Sequence, residues 1–486
     1  MLPRILSIAA PLFVYITLAV LVQGLWNERK KFDRIALALA TAGLLASFMV
    51  LSPAHRLFFD EDTYINIASN LTKAPVAQLT LLGGPDEITV STYYKEPAGW
   101  PVLLSFVFFF TGPSEQAAFI TARVFYGATL GAIYMLGLTL FQSRRQAAVA
   151  AILVGAAPVF FWYSASAGTD IPAAFFAVLG LWGIFAGNAP LAAAGIAMSA
   201  QIRLELIALA PLVWLAPKIS IRWKAAAAGL VAAEIAHVAW LLSVAPEFAR
   251  AVRVESAFSL QYVFQNGAAN IKYLFNPLLF PAVVTALAIA GLLRKRSGEW
   301  PRWLLALSVV AVSGVHAVFY VGSFDINPRY SIQILAPLAL LAASTIRRPF
   351  FIATLIASLA IPQFGGYGVP PFVQTLAVDH RIASDFAARV GSEDLVLSAQ
   401  QEVFLNQGLR AMNSVLASER ADRLDEQLKQ RKVWYHAGVR TNLENSEDWD
   451  ADQWVKSNYE LHLIDSYEVD AMKIAFYEVL LKPINR

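Results

Sequence analysis

Residues 59–68 read Phe-Asp-Glu-Asp-Thr-Tyr-Ile-Asn-Ile-Ala. Three adjacent carboxylates, Asp60, Glu61 and Asp62, open a stretch in which Tyr64, Ile67, Ala68 and Leu71 recur at helical spacing. The stretch is an amphipathic helix suited to an interface. Three carboxylates beside an apolar face are not all comfortably ionised. Either one titrates high, or a cation binds among them. The other reading is a solvated acidic loop capping a helix, because Asp favours that position.

Outward from this motif the chain is apolar. Of its 486 residues, 57% are hydrophobic and 15% charged, against about 45–50% and about 25% in a soluble domain. That excludes disorder and fibrous repeats, and it points to a polytopic membrane protein. The chain has no cysteine, which excludes a disulfide framework, thiolate metal sites and thiol catalysis. No basic patch interleaves with aromatics, so nucleic acid is not an expected partner.

A bilayer core needs roughly 20 apolar residues per helix. Runs of about that kind cover 5–25, 34–53, 116–141, 146–163, 171–187, 224–245, 276–293, 301–321, 330–346 and 350–364. Residues 189–217 form two short spans meeting at a polar break of Gln201, Arg203 and Glu205. We therefore expect about twelve transmembrane helices, with 5–25 kept as a span because it lacks a cleavage site. The apolar segment 98–112 is read as an interfacial or re-entrant helix.

Five short loops, including Arg144 and Arg145 and the run Arg29-Lys30-Lys31, hold 15 of the 25 Lys and Arg residues before position 365. The positive-inside rule makes those loops cytoplasmic. Residues 54–115, Asp170, the break at Arg203 and the segment before Arg329 then fall outside. So does the tail 365–486, which is acidic, with 13 basic and 19 acidic residues. Its short strand-like and helix-like runs suggest a small α/β domain that caps the membrane part or guides an acceptor. The expected organisation is a membrane domain over 1–364, with a first outer loop at 54–115, and an extracytoplasmic domain over 365–486.

Other polar residues stand out against the apolar background. Glu96 lies in Lys95-Glu96-Pro97-Ala98-Gly99, before the interfacial helix. Arg123 sits inside a span and needs a partner. Asp170 opens a span, with a helix N-cap as its plainer role. Arg203 and Glu205 form either a structural ion pair or a phosphate contact. Lys272 either anchors the interface or reaches a phosphate. Glu234 and His237, three apart, and His316 form an intramembrane hydrogen-bonded set or, less simply, a metal site.

The order of these motifs resembles the GT-C superfamily of membrane glycosyltransferases, above all its protein-mannosyltransferase and aminoarabinose-transferase branch (family 39 and 83 types). The residues concerned are the Asp60-Glu61 pair with Tyr64, the proline-framed interfacial helix, Gly112-Pro113-Ser114-Glu115 with Arg123, the Arg144-Arg145 turn and Pro158. Asp170, the Arg203-x-Glu205 break and Asn327-Pro328-Arg329-Tyr330 complete the series. The likeness covers about residues 34–364. It implies a mostly α polytopic fold with interfacial helices, and a donor sugar on polyprenyl phosphate.

The resemblance aligns Asp60 with the catalytic aspartate, Glu61 with its neighbour and Asp170 with a second-loop acid. Arg329 and Tyr330 match the pair facing the lipid phosphate. Arg203 and Lys272 are further candidates for that phosphate, and Asp62, Tyr64, Glu96, Arg123 and Glu205 are further candidates for the site. Glu96 falls near the branch's metal-binding glutamate, but its surroundings depart from the branch's Glu-Lys-Pro-Pro run, so metal ligands stay unassigned. The implied activity is inverting transfer to a hydroxyl of a lipid, polysaccharide or protein acceptor, at the outer face of the cell membrane, with an Asp base. The competing reading is a secondary transporter or lipid-linked-sugar flippase. Against it stand the absence of an internal repeat and the position of the acidic cluster at one interface.

Overall fold

The computed structural model describes residues 2–56, 60–84, 87–92, 97–244, 257–294, 300–346, 350–357 without 352, and 371–482 without 445 and 471. Glu96, and the side chains of Glu234 and His237, lie outside the described residues.

The apolar runs form helices. They are α1 (Leu2–Glu28), α2 (Arg34–Val50), α3 (Asp60–Lys73), α4 (Gly99–Thr111), α5 (Glu115–Phe141), α6 (Arg144–Gly155), α7 (Pro158–Tyr163) and α8 (Asp170–Ala186). Then come α9 (Ala189–Ile202), α10 (Ala210–Leu215), α11 (Ile221–Val244), α12 (Val263–Phe275), α13 (Ala282–Leu293), α14 (Trp300–Val318) and α15 (Ile332–Ala343). Polar caps mark where several of them start. Asp33 accepts the Ile35 N–H at 3.0 Å at the head of α2, and Ser114 accepts the Ala117 N–H at 3.2 Å at the head of α5. Where α8 meets α9, small residues let the backbones touch. A Cβ on Gly183 would lie 2.2 Å from the Ala192 nitrogen, so no larger residue fits.

Two helices, Ile8–Lys31 and Glu115–Phe141, are long and apolar enough to cross a bilayer unaided among the described residues, and seven shorter apolar helices run 10–17 residues. Among the described residues the expected count of about twelve spans is therefore not confirmed. The apolar runs are broken by local chemistry. Pro158 splits the expected span 146–163 into α6 and α7. Arg203, extended at φ −140°, ends α9. At 1.5 Å per residue the 14 residues of α9 cover about 21 Å, short of an apolar core of about 30 Å. The expected span 276–293 is helical only from Ala282. Large apolar side chains nonetheless stand exposed around the bundle, with Leu37 at 70%, Met49 at 84%, Phe110 at 83% and Leu293 at 74%. Exposed apolar side chains on this scale mark a surface that an apolar phase or a partner covers.

The tail adds α16 (Pro371–Ala387), α17 (Gln401–Asn406), α18 (Ser414–Glu419), α19 (Ala421–Gln430) and α20 (Glu447–Asn458) around a sheet. Its strands are β3 (Leu395–Ser398), β4 (Arg410–Asn413), β5 (Val433–Ala437), β6 (Tyr459–Val469) and β7 (Met472–Leu481). Alternating residues of β3 feed two cores. Val396 packs with Phe386, Phe404 and Phe476, and Leu397 packs with Met412, Tyr435 and Val479. The first long loop contributes two more strands, β1 (Leu79–Gly83) and β2 (Ile88–Thr92), so the sheet runs β2-β1-β4-β3-β5-β7-β6. Leu82 of β1 pairs with Met412 of β4. The loop that carries the acidic motif is thus sewn into the tail's sheet.

Candidate active site

Helix α3 starts at Asp60 and points its three carboxylates in three directions, as the ~100° turn between neighbouring helical residues requires. Asp60 faces Arg329, with Oδ2 to Nη1 at 3.4 Å. Glu61 is fully buried and accepts backbone N–H groups from Arg56 and Ala167, both at 2.9 Å. It ties the two loops that flank the site. Asp62, 2% exposed, turns to the tail, where the Asn406 side-chain amide donates to it at 3.1 Å. The His380 ring nitrogen lies 3.2 Å from its second oxygen. Burial opposes the Asp62 charge, but His380 and His55 outweigh it and hold the carboxyl at about 2.

The opposite wall comes from helix ends. Where α9 stops, Arg203 reaches Asp170 at the head of α8, and it donates from Nε to Glu205 at 2.5 Å. The tight turn Pro328–Ser331 before α15 presents Arg329 and Tyr330. Both guanidiniums lie over the Tyr330 ring, Arg203 at 5.1 Å and Arg329 at 5.5 Å from its centre. His316 stacks on that ring at 4.4 Å. The Gln333 amide donates to the Asp170 carbonyl at 3.1 Å, which fixes α8 against α15.

These groups enclose one cavity of about 380 Å³. Asp60, Tyr64, Thr169, Arg203, Glu205, His316, Arg329 and Tyr330 line its polar side. Ile207, Ile235, Phe258, Val315 and Phe319 line its apolar side. A carboxylate opposite two guanidiniums, beside a greasy wall, can hold a phosphate with a hydrocarbon tail and take a proton from a hydroxyl.

Other sequence candidates lie elsewhere. Arg123 is buried against α2, donating to the Leu51 carbonyl at 2.7 Å and covering the Phe48 ring. It satisfies a helix end instead of a ligand. Lys272 stands exposed on α12 and does not line the cavity. Glu61 and Asp62 also stay off the cavity lining.

Sequence reading missed His55, His380, Thr169, Phe258 and Glu402. His55 stood five positions before Asp60 and was legible as a polar residue beside the motif. His380 and Glu402 carry no local signal, because their partners are far away in sequence. Thr63 on α3 donates to Glu402 at 3.2 Å across 339 positions. Burial, reinforced by the Asp62 charge, pushes the Glu402 carboxyl up to about 7, against a smaller opposing pull from Arg440.

No protein-family model matches the sequence, and no curated protein matches it. Among solved structures, ArnT from Cupriavidus metallidurans bound to undecaprenyl phosphate aligns at a TM-score of 0.58 and 13% identity. The alignment covers 91% of this chain and 97% of that one. The apo form of the same protein aligns at a TM-score of 0.56 and 14% identity, over 91% and 97% of the two chains. With that overlap along nearly the whole of both molecules, the chain has the fold of the GT-C superfamily of membrane glycosyltransferases.

Proposed function

We propose that the chain transfers a sugar from a polyprenyl-phosphate carrier to an acceptor hydroxyl at the extracytoplasmic face of the membrane, inverting the anomeric carbon. The observation that carries this is the single cavity in which Asp60 faces Arg329 beside an apolar wall. The bound undecaprenyl phosphate of the structural neighbour supports the same donor class.

Arg329 and Arg203 hold the donor phosphate, and the prenyl tail lies along Phe258, Phe319 and Ile235. Phosphate binding draws Arg329 from Asp60 and leaves that carboxylate unpaired. Asp60 then accepts the proton of the acceptor hydroxyl while the acceptor oxygen bonds to C1. The bond from C1 to the phosphate oxygen breaks, its electron pair leaves with polyprenyl phosphate, and the two guanidiniums take up that charge. Tyr330 and His316 keep the guanidiniums in plane above the site, and Asp170 and Glu205 position Arg203. The glutamate to which the family likeness points for a divalent metal, Glu96, is outside the described residues, and the metal ligands of this reaction stay unassigned.

The test is the fate of the donor. Protein in detergent, given lipid-linked sugar and membrane extract as acceptor, should release free polyprenyl phosphate. Counterflow of intact donor in liposomes without release would assign a flippase instead. Sidedness is read with introduced cysteines, since the chain has none of its own. Arg420→Cys should label from outside with an impermeant thiol reagent, and Arg144→Cys should not.

A further inference from the structure

A second cluster lies behind α3, on the side away from the cavity. It joins His55 and Asp62 from the first long loop to His380 of α16, which is 318 positions away from Asp62. The two imidazoles stack with centres 3.6 Å apart and planes 24° apart. Both point a nitrogen at the same oxygen. Asp62 Oδ2 is 3.6 Å from His55 Nδ1 and 3.2 Å from His380 Nε2. That oxygen is buried and has no hydrogen-bond donor aligned on it, although Asp62 Oδ1 accepts from Asn406. The other nitrogen of His55 meets Glu115 Oε1 at 2.5 Å, and Glu61 Oε2 lies 3.3 Å from His55 Nδ1.

Three carboxylates, Glu61, Asp62 and Glu115, converge on the two rings. This excess of negative charge faces two imidazole nitrogens, each of which offers a lone pair to a divalent cation once its proton is released.

The geometry points to a zinc-class divalent site formed by His55 Nδ1, Asp62 Oδ2 and His380 Nε2. The three ligand atoms lie within 4.8 Å of one another. A tetrahedral ion with bonds of about 2.0–2.1 Å sets its ligands about 3.4 Å apart, close to the 3.2 and 3.6 Å edges seen here. Glu115 supplies the outer carboxylate that fixes the tautomer of a ligating histidine. A water takes the fourth position. With no cysteine in the chain, nitrogen and oxygen ligands are the ones a tight site must use. None of these residues is Glu96. The ion clamps α3, and with it the Asp60 end of the cavity, to the first helix of the tail. This inference stands whether or not the transfer reaction is as proposed.

The experiment uses tag-free full-length protein in detergent, analysed for metal by mass spectrometry, then stripped with chelator and refilled with zinc or cobalt(II). The expected content is about one divalent ion per chain. Stripping lowers the melting temperature, zinc restores it, and cobalt(II) gives the visible absorption of a four-coordinate nitrogen and oxygen site. His380→Ala and Asp62→Asn abolish the cobalt absorption and the recovery with zinc. His462→Ala, on the exposed strand β6, keeps both. Wild-type protein that takes up neither metal, or full uptake retained by both site variants, overturns the assignment.

Discussion

Helix α3 has two working faces, and they differ in what surrounds the same residue type. On one face Asp60 and Tyr64 border an open cavity, and Asp60 meets a cationic side chain that a substrate phosphate can draw away. On the other, Asp62 and Thr63 are sealed against the tail, where His380, Asn406 and Glu402 meet them. Glu61 between them is spent on backbone N–H groups. Adjacent carboxylates on a helix therefore separate into one that borders the cavity, where the proposed transfer places the base, one that ties backbone N–H groups, and one held by the tail. What divides them is the angle between neighbouring residues and the partners that each direction meets.

That division can be broken by substitution. The largest effect is expected at Asp60→Asn, which keeps the shape and removes the base. Turnover should fall roughly 10²–10⁴-fold while donor binding persists, as read by single-turnover kinetics beside a binding assay. Arg329→Lys replaces a planar fork with a point charge. It should cost about 2–4 kcal/mol of transition-state stabilisation, measured as kcat/KM for the donor.

Glu402 sharpens the view of the sealed face. Its folded pKa, about 7, lies above the ordinary 4.5, so the folded state holds a proton that the unfolded chain releases. Its contribution to stability is present below about pH 4.5 and is lost as the pH rises towards 7, by at most about 3 kcal/mol. Thermal melts of Glu402→Gln across that window should be flatter than those of wild type. Glu61→Gln keeps one acceptor for two buried N–H groups. It should cost about 1–3 kcal/mol of stability in denaturant titration, with a smaller loss of turnover than Asp60→Asn.

Much of this architecture was legible from hydropathy, because a bilayer imposes long apolar runs and tolerates charges only where they work. The cavity residues Asp60, Tyr64, Arg203, Glu205, Arg329 and Tyr330 stood out as charges and aromatics at the ends of such runs. Arg123 stood out for the same reason and proved to serve a helix end, since a buried guanidinium is satisfied as well by a carbonyl as by a ligand. The break at Arg203 was legible as a polar interruption, whereas Pro158 divides a stretch, 146–163, that composition alone joins. The β1–β2 hairpin, β4, and the meeting of His380 with Asp62 had no local signature. Leu82 is an ordinary apolar residue until it pairs with Met412, and such pairing is decided by the folded chain.

The most direct test of the division is single-turnover transfer from a polyprenyl-phosphate-linked sugar by Asp60→Asn and Asp62→Asn, side by side with wild type. The account predicts that Asp60→Asn binds donor and transfers at least 10²-fold more slowly. It predicts that Asp62→Asn, once folded, transfers within about tenfold of wild type but melts earlier. Normal transfer by Asp60→Asn together with a dead but folded Asp62→Asn would contradict it, and would move the chemistry to the other face of α3.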